Sequence, residues 1–385
     1  MSGLDFTGLD TRPAQVWGGV RLVPLVREEP VPGLRLHREV YDRFGEVLVS
    51  PGVSYVSYIP HGLVADWSGE QPDTRPDTRP ATQSAAYGTQ LDTARPTAMA
   101  VERHHRMVKR RPSKGKKGQP AGAVARCRFL PLHLAMEGYL ALHFGGPAIA
   151  WQEWSREAVR QGLSPRSEAA YRGLDVPGLA DALRVFEIHP DQCGVLVYVA
   201  DALAAAFVVP HPDDYRALHP TLLQDMYGEL IHQYGYFGGP VPDFEARLGD
   251  GRHIATLADL RAAAGAQERA WSESHDTVMA RELLGTSYAF ERVRRMASFD
   301  MYRFLPPFRV DSDGQHIGEL ITDHKGRTAY LKTFRLAPAQ IRRGHLLNSL
   351  AGNDWHLGRT ADRLGTTPEE IVRRIRAAGF GSLLR

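Results

Sequence analysis

Apolar positions recur along this chain with two different periods, and the switches between them mark its elements. Residues 17–26 (WGGVRLVPLV) are dense in branched apolar side chains, which predicts a strand. Residues 46–59 (EVLVSPGVSYVSYI) predict two short strands around Pro51-Gly52. The longest apolar stretch, 193–209, is divided by Asp201, and seventeen residues with a central carboxylate fit two buried strands and a turn better than a membrane span. Residues 316–335 predict a hairpin turning at 324–326.

Helical spacing takes over elsewhere. Residues 129–144 (FLPLHLAMEGYLALHF) predict a helix stopped by Gly145-Gly146-Pro147, and a second helix at 150–161 closes at Gly162. Residues 178–185 read as helical. In 211–235 a long amphipathic helix places Leu218, Leu222, Met226 and Leu230 on one face. Residues 256–300 read as largely helical, and further helices follow Pro338.

Composition changes this picture at one place. Residues 69–98 hold PDTR twice in tandem, at 72–75 and 76–79, and cannot bury enough apolar surface to offset their ordering entropy. A basic run follows: residues 101–128 hold ten Lys or Arg against Glu102, so the net charge of +3 conceals +9 here and −6 elsewhere. Together these predict a mobile insertion at about 69–124 within the rest of the body. A chain of 385 residues predicts roughly two or three domains. Its only cysteines, Cys127 and Cys193, make no disulfide framework, which fits a reducing compartment. The first residues carry no apolar signal core. The expectation is a cytoplasmic protein with no membrane partner.

Residues 341–380 have a more specific pattern. Leu346, Leu347 and Leu350 make one face of a helix that stops at Gly352-Asn353. Thr360-Ala361 is a small pair that lets helices approach closely, and Gly365 permits a turn. Thr367-Pro368-Glu369-Glu370 has the form of a capping box with Pro at the first helical position. Ile371, Ile375 and Phe380 supply a packing face. This pattern resembles the Fis-type helix-turn-helix. In such modules the start of the third helix faces bases and phosphates. Here that start is Pro368, Glu369 and Glu370, which suits a polyanion poorly, while Arg373, Arg374 and Arg376 follow a turn later. DNA contact and a packing or dimerisation role both stay open.

The segments flanking the insertion resemble the ARPP domain family, named for association with ADP-ribosylglycohydrolase and rhodanese-phosphatase proteins. The resemblance rests on VWGGVRLVPL from Val16, RFLPLHLAMEGYLALHFGG from Arg128, and QCGVLVYVADALAAAFVVPHPDDYRALHPTLL from Gln192. It implies an α+β fold and a link to bacterial nucleotide or conflict biology, with no catalytic motif to carry over. The expected fold class is α+β: a mixed α/β body with a C-terminal three-helix helix-turn-helix module. The expected divisions are an ARPP-like body at 13–240, a helical and hairpin connecting region at 241–336, and the helix-turn-helix module at 337–385.

Candidate chemistry is sparse. His211, Asp213 and Asp214 lie between a buried strand and a helix, where a ligand or an acid–base pair would sit, although an aspartate there also serves as a helix cap. His133 and Glu137 share a helix face, with His143 off it, and read more simply as a polar pair. Glu187, His189 and Asp191 alternate as on a strand that His189-Pro190 ends. Walker, dinucleotide-fold and nucleophile-elbow signatures are absent, and no cofactor or metal is expected. Lys109, Arg110, Arg111, Lys114, Lys116 and Lys117 suit a nucleic-acid arm, an acidic partner or a solvated linker. The reading that follows is a non-enzymatic, nucleic-acid-associated regulatory or defence-linked protein, its partners being DNA and proteins encoded nearby. A nucleotide- or small-molecule-processing enzyme near His211 and a protein-binding scaffold are the alternatives.

Overall fold

The computed structural model describes residues 3–36, 183–221, 234–235, 238–241 and 254–384, together with the backbone of five strands between positions 45 and 110. In chain order the strands are β1 (Asp10–Thr11), β2 (Gln15–Trp17), β3 (Val20–Val26), β4 (Arg35–Leu36), β5 (Gly45–Ser50), β6 (Val53–Ser57), β7 (Gly62–Asp66), β8 (Ser84–Gly88), β9 (Met107–Arg110), β10 (Gln192–Val199), β11 (Ala202–Val208), β12 (Ala289–Met296), β13 (Phe299–Leu305), β14 (His316–Thr322) and β15 (Thr328–Arg335). The described α-helices are α1 (Pro212–Thr221), α2 (Leu257–Ser274), α3 (Arg281–Leu284), α4 (Pro338–Ala351), α5 (Leu357–Arg363) and α6 (Pro368–Ala377).

Nine strands form one antiparallel sheet in the order β1-β3-β10-β11-β15-β14-β13-β12, with β2 also paired to β3. The class is therefore α+β. Two three-stranded sheets, β4-β7-β8 and β5-β6-β9, stand apart from it. Antiparallel sheets commonly keep one face in water. Here β3, β10 and β14 are buried at every position, so both faces of the sheet's middle are covered. The 193–209 stretch forms two strands as predicted, and its turn places Ala200 and Asp201 at φ 47° and 63°. That is the backbone sense of a two-residue hairpin turn that matches strand twist. The 316–335 hairpin also forms as predicted.

One expectation needs correction. Residues 256–300 are helical only as far as Leu284, through α2, a π-helical turn (His275–Met279) and α3; β12 and the start of β13 follow. Arg292 and Arg295 lie on β12, the last strand in the order, and charges on an edge strand deter pairing with other chains. Their spacing reads equally well as a polar helix. Strands β8 and β9 lie inside the stretch expected to be a mobile insertion, and Lys109 and Arg110 are on β9. The helices expected at 129–144 and 150–161 fall outside the described residues, and Leu183–Val185 is a short 3-10 turn.

The last three helices start and stop on local chemistry. The Gln340 side-chain oxygen accepts from the Ala337 amide at 2.8 Å, with Pro338 opening α4 and Gly352 ending it. Thr360 and Ala361 are fully buried, and Gly365 takes φ +60°. Thr367 caps α6 by accepting from the Glu370 amide. The reciprocal half of the expected capping box does not form, because the Glu370 carboxylate accepts instead from Arg373 and Arg374.

These helices are joined to the sheet by one tight contact. Phe308, 1% exposed at φ 51°, packs its ring against Gly344 of α4, where any β-carbon would overlap that ring. Leu336 and Ile341 extend the sheet's core into the same place. The loop carrying Phe308 is braced by Gln315, which accepts from the Arg309 amide and donates to the Arg309 and Ser312 carbonyls. A helical Gly→Ala change ordinarily stabilises by about 1 kcal/mol. Gly344→Ala is expected to do the opposite, lowering stability by ~1–3 kcal/mol through overpacking, as read from urea unfolding midpoints.

Candidate functional site

The His211 cluster sits at the start of α1, directly after β11. His211 Nδ1 accepts from the Asp213 amide at 3.1 Å, so the histidine fills the capping role expected of an aspartate. His211 Nδ1 also lies 3.6 Å from Asp213 Oδ2, and Asp213 pairs with Arg216 at 2.9 Å. Asp214 belongs to a separate, buried pair. It is 2% exposed, and Arg35 of β4 reaches both its oxygens at 2.8–3.2 Å. Each carboxylate is thus balanced by its own arginine. The geometry ties β4 to the start of α1, which packs on β10.

Glu187, His189 and Asp191 are not on a strand; they lie in the irregular approach to β10, and the His189 amide donates to Gln192 at 3.0 Å. His133, Glu137, His143, Cys127, Arg111, Lys114, Lys116 and Lys117 lie outside the described residues. Among the described residues, no group of three or more His, Cys, Asp or Glu is arranged to hold a metal.

The sheet brings together two charged groups that single-strand reading missed. Glu291, Arg303, Glu319 and Lys332 stand opposite one another in register across β12, β13, β14 and β15. Directly opposed residues share a face, so the four form a ladder of alternating charge. Glu319 and Lys332 are sealed, at 2% and 0% side-chain exposure, with Nζ 3.8 Å from Oε2. Loss of solvent pushes the Lys332 ammonium down to about 8, against the opposing pull of Glu319. Lys332 Nζ also lies 5.9 Å from the Phe334 ring centre. The signal was present in the strands themselves. Glu319 lies between Ile317 and Ile321, and Lys332 between Tyr330 and Phe334, each a lone charge on an apolar strand face.

The second group is a relay. Asp276 Oδ1 lies 2.8 Å from His275 Nδ1, and His275 Nε2 lies 2.7 Å from the Tyr198 hydroxyl. Burial pushes the Tyr198 hydroxyl well above its ordinary range, so it keeps its proton. His275 and Tyr198 are both fully buried. The relay ties the π-helical turn to β10 and is closed to a substrate.

An open concavity lies among the last helices. A groove of about 540 Å³ runs between α4 and α6. Arg342 and Arg343 line it from α4, and Arg373 and Arg374 from α6. Its apolar lining comes from Val310, Ala339, Leu346, Leu364, Ala377 and Ala378. Arg373 and Arg374 approach Glu370 at 2.6 and 2.9 Å, which holds the Glu370 carboxyl down to about 2. Arg376 is exposed beside them, next to Val372 and Glu369.

Two stability measurements test the buried groups. Lys332→Met leaves Glu319 charged and without its opposing ammonium, and is expected to cost ~3–5 kcal/mol; adding Glu319→Gln should recover most of that loss. An additive double variant would show that the two do not interact. His316, fully buried, is held down to about 3 by desolvation and by Arg335. Between about pH 3 and 6.5 the unfolded chain therefore binds a proton that the folded chain refuses. This contribution is complete above pH 6.5 and is lost on acidification, at ~1.4 kcal/mol per pH unit. His316→Asn should flatten the stability profile in that window.

Neither a curated protein nor a solved structure matches the chain. Residues 4–297 match the model of the ARPP-2 family, from the first strands through β12 of the sheet. The chain belongs to the ARPP-2 family.

Proposed function

We propose that this chain is a non-enzymatic, nucleic-acid-associated regulatory or defence-linked protein, with the α+β body as scaffold and α4–α6 acting as a helix-turn-helix module. One observation carries the reading: arginines from two helices, Arg342, Arg343, Arg373 and Arg374, gather around one open surface with Arg376 exposed at its side. Residues 337–385 hold eight arginines against four carboxylates, a local excess suited to phosphates. The enzyme alternative near His211 has less support, since its carboxylates are held by Arg216 and Arg35.

Glu370 sets the strength of this contact. It shares one carboxylate between Arg373 and Arg374, so the three groups carry a single net positive charge. Phosphate has to compete with Glu370 for both guanidiniums, while Arg376 and Arg342 meet it directly. Gel shifts of the full chain with duplex DNA across a salt series test this. Each phosphate neutralised contributes about −0.9 to the slope of log affinity against log salt. Glu370→Gln should tighten binding and steepen that slope, and Arg376→Ala should weaken binding and flatten it. Absence of binding by the full chain at low salt would remove the reading.

A further inference from the structure

We propose that the groove between α4 and α6 is a docking site for an acidic amphipathic helix of a partner protein. This goes beyond the nucleic-acid reading: it shares Arg342, Arg343, Arg373 and Arg374 with that reading but adds the apolar lining between them, and leaves Arg376 outside. Positions 373, 374, 377 and 378 face the groove, while Pro368, Glu369, Val372 and Arg376, again with Arg373, make the adjacent surface.

The shape asks for side chains and not for a phosphate backbone. Ala339 on one wall and Ala377 and Ala378 on the other leave the channel open where longer residues would fill it. Leu346 and Leu364 contribute apolar surface, and Val310, 55% exposed, extends it from the braced loop after β13. A helix about 11 Å across with a pitch of ~5.4 Å fills roughly 500 Å³ per turn, so the groove takes about one turn of an apolar face. Laying the apolar stripe of a helix into such a groove is an established recognition mode.

The charge selects the partner's sign. Four arginines line the groove, and none of the described lining residues is Asp or Glu. Guanidinium forks bind carboxylates in two-point geometry and stay charged at every relevant pH. Glutamates flanking an apolar stripe would meet Arg342 and Arg343 on one side and Arg373 and Arg374 on the other.

The test is fluorescence anisotropy of the full chain with a labelled synthetic helix carrying Leu at i, i+3, i+4 and i+7 and Glu between. The control is a scrambled peptide of the same composition. The designed peptide should bind saturably and more tightly than the scramble by about tenfold, roughly 1.4 kcal/mol. Val310→Glu and Ala377→Glu place a carboxylate in the lining at exposed positions, and each should weaken binding by a similar factor with circular dichroism unchanged. Arg376→Ala should leave the peptide's affinity intact while lowering that for DNA, so this proposal and the nucleic-acid reading fail separately. Equal binding of the scramble, or undiminished binding by the Val310→Glu and Ala377→Glu variants, would overturn the proposal.

Discussion

The contact between the Phe308 ring and the bare backbone of Gly344 fixes where the C-terminal helices sit. Without a β-carbon, α4 approaches closely enough for Leu336 and Ile341 to join the core of the large sheet. The same loop then presents Val310 at the edge of the groove, beside arginines of α4 and α6. Gln315 makes that placement rigid, since three of its hydrogen bonds close the loop on itself. The basic surface of the last helices is therefore a joint product of body and tail. A tail that swung freely would keep its own small core of Leu347, Leu350, Ala361, Ile371 and Ile375, but would lose the groove.

Charge plays opposite roles in the two halves. In the sheet, Glu319 and Lys332 are removed from water and oppose each other in register. Such a pair adds little net stability compared with an apolar pair, but a strand slipped by one residue would turn its charge to the opposite face and leave the other unpaired. In the last helices the charges are exposed and adjustable. Glu370 there gives up its share of the capping box to hold Arg373 and Arg374, so a residue that begins as helix punctuation ends as a control on surface potential.

The sequence pattern made the hairpins legible, because Asp201 and the 324–326 turn interrupt runs whose alternation is strong. Helix starts at Pro338 and Thr367 were legible for the same local reason. Long-range partners were not: β11 pairs with β15 and β3 with β10, across more than a hundred residues in each case, and nothing local encodes that choice. The ladder was hidden because aligning Glu291, Arg303, Glu319 and Lys332 needs the register of four strands, although Glu319 and Lys332 each stand as a lone charge on an apolar face. β12 was misread because Glu291, Arg292, Arg294 and Arg295 suit a polar helix as well as a charged edge strand. Gly344 was missed because its importance lies in Phe308, thirty-six positions away.

Native-state hydrogen exchange on the full chain tests the joint architecture most directly. If α4 and the sheet open together, amides of Ile341 and Leu347 should share the opening free energy and denaturant dependence of amides in β15. Exchange of α4 together with α5 and α6 at much lower denaturant, while β15 stays protected, would show an independently moving tail and contradict the account.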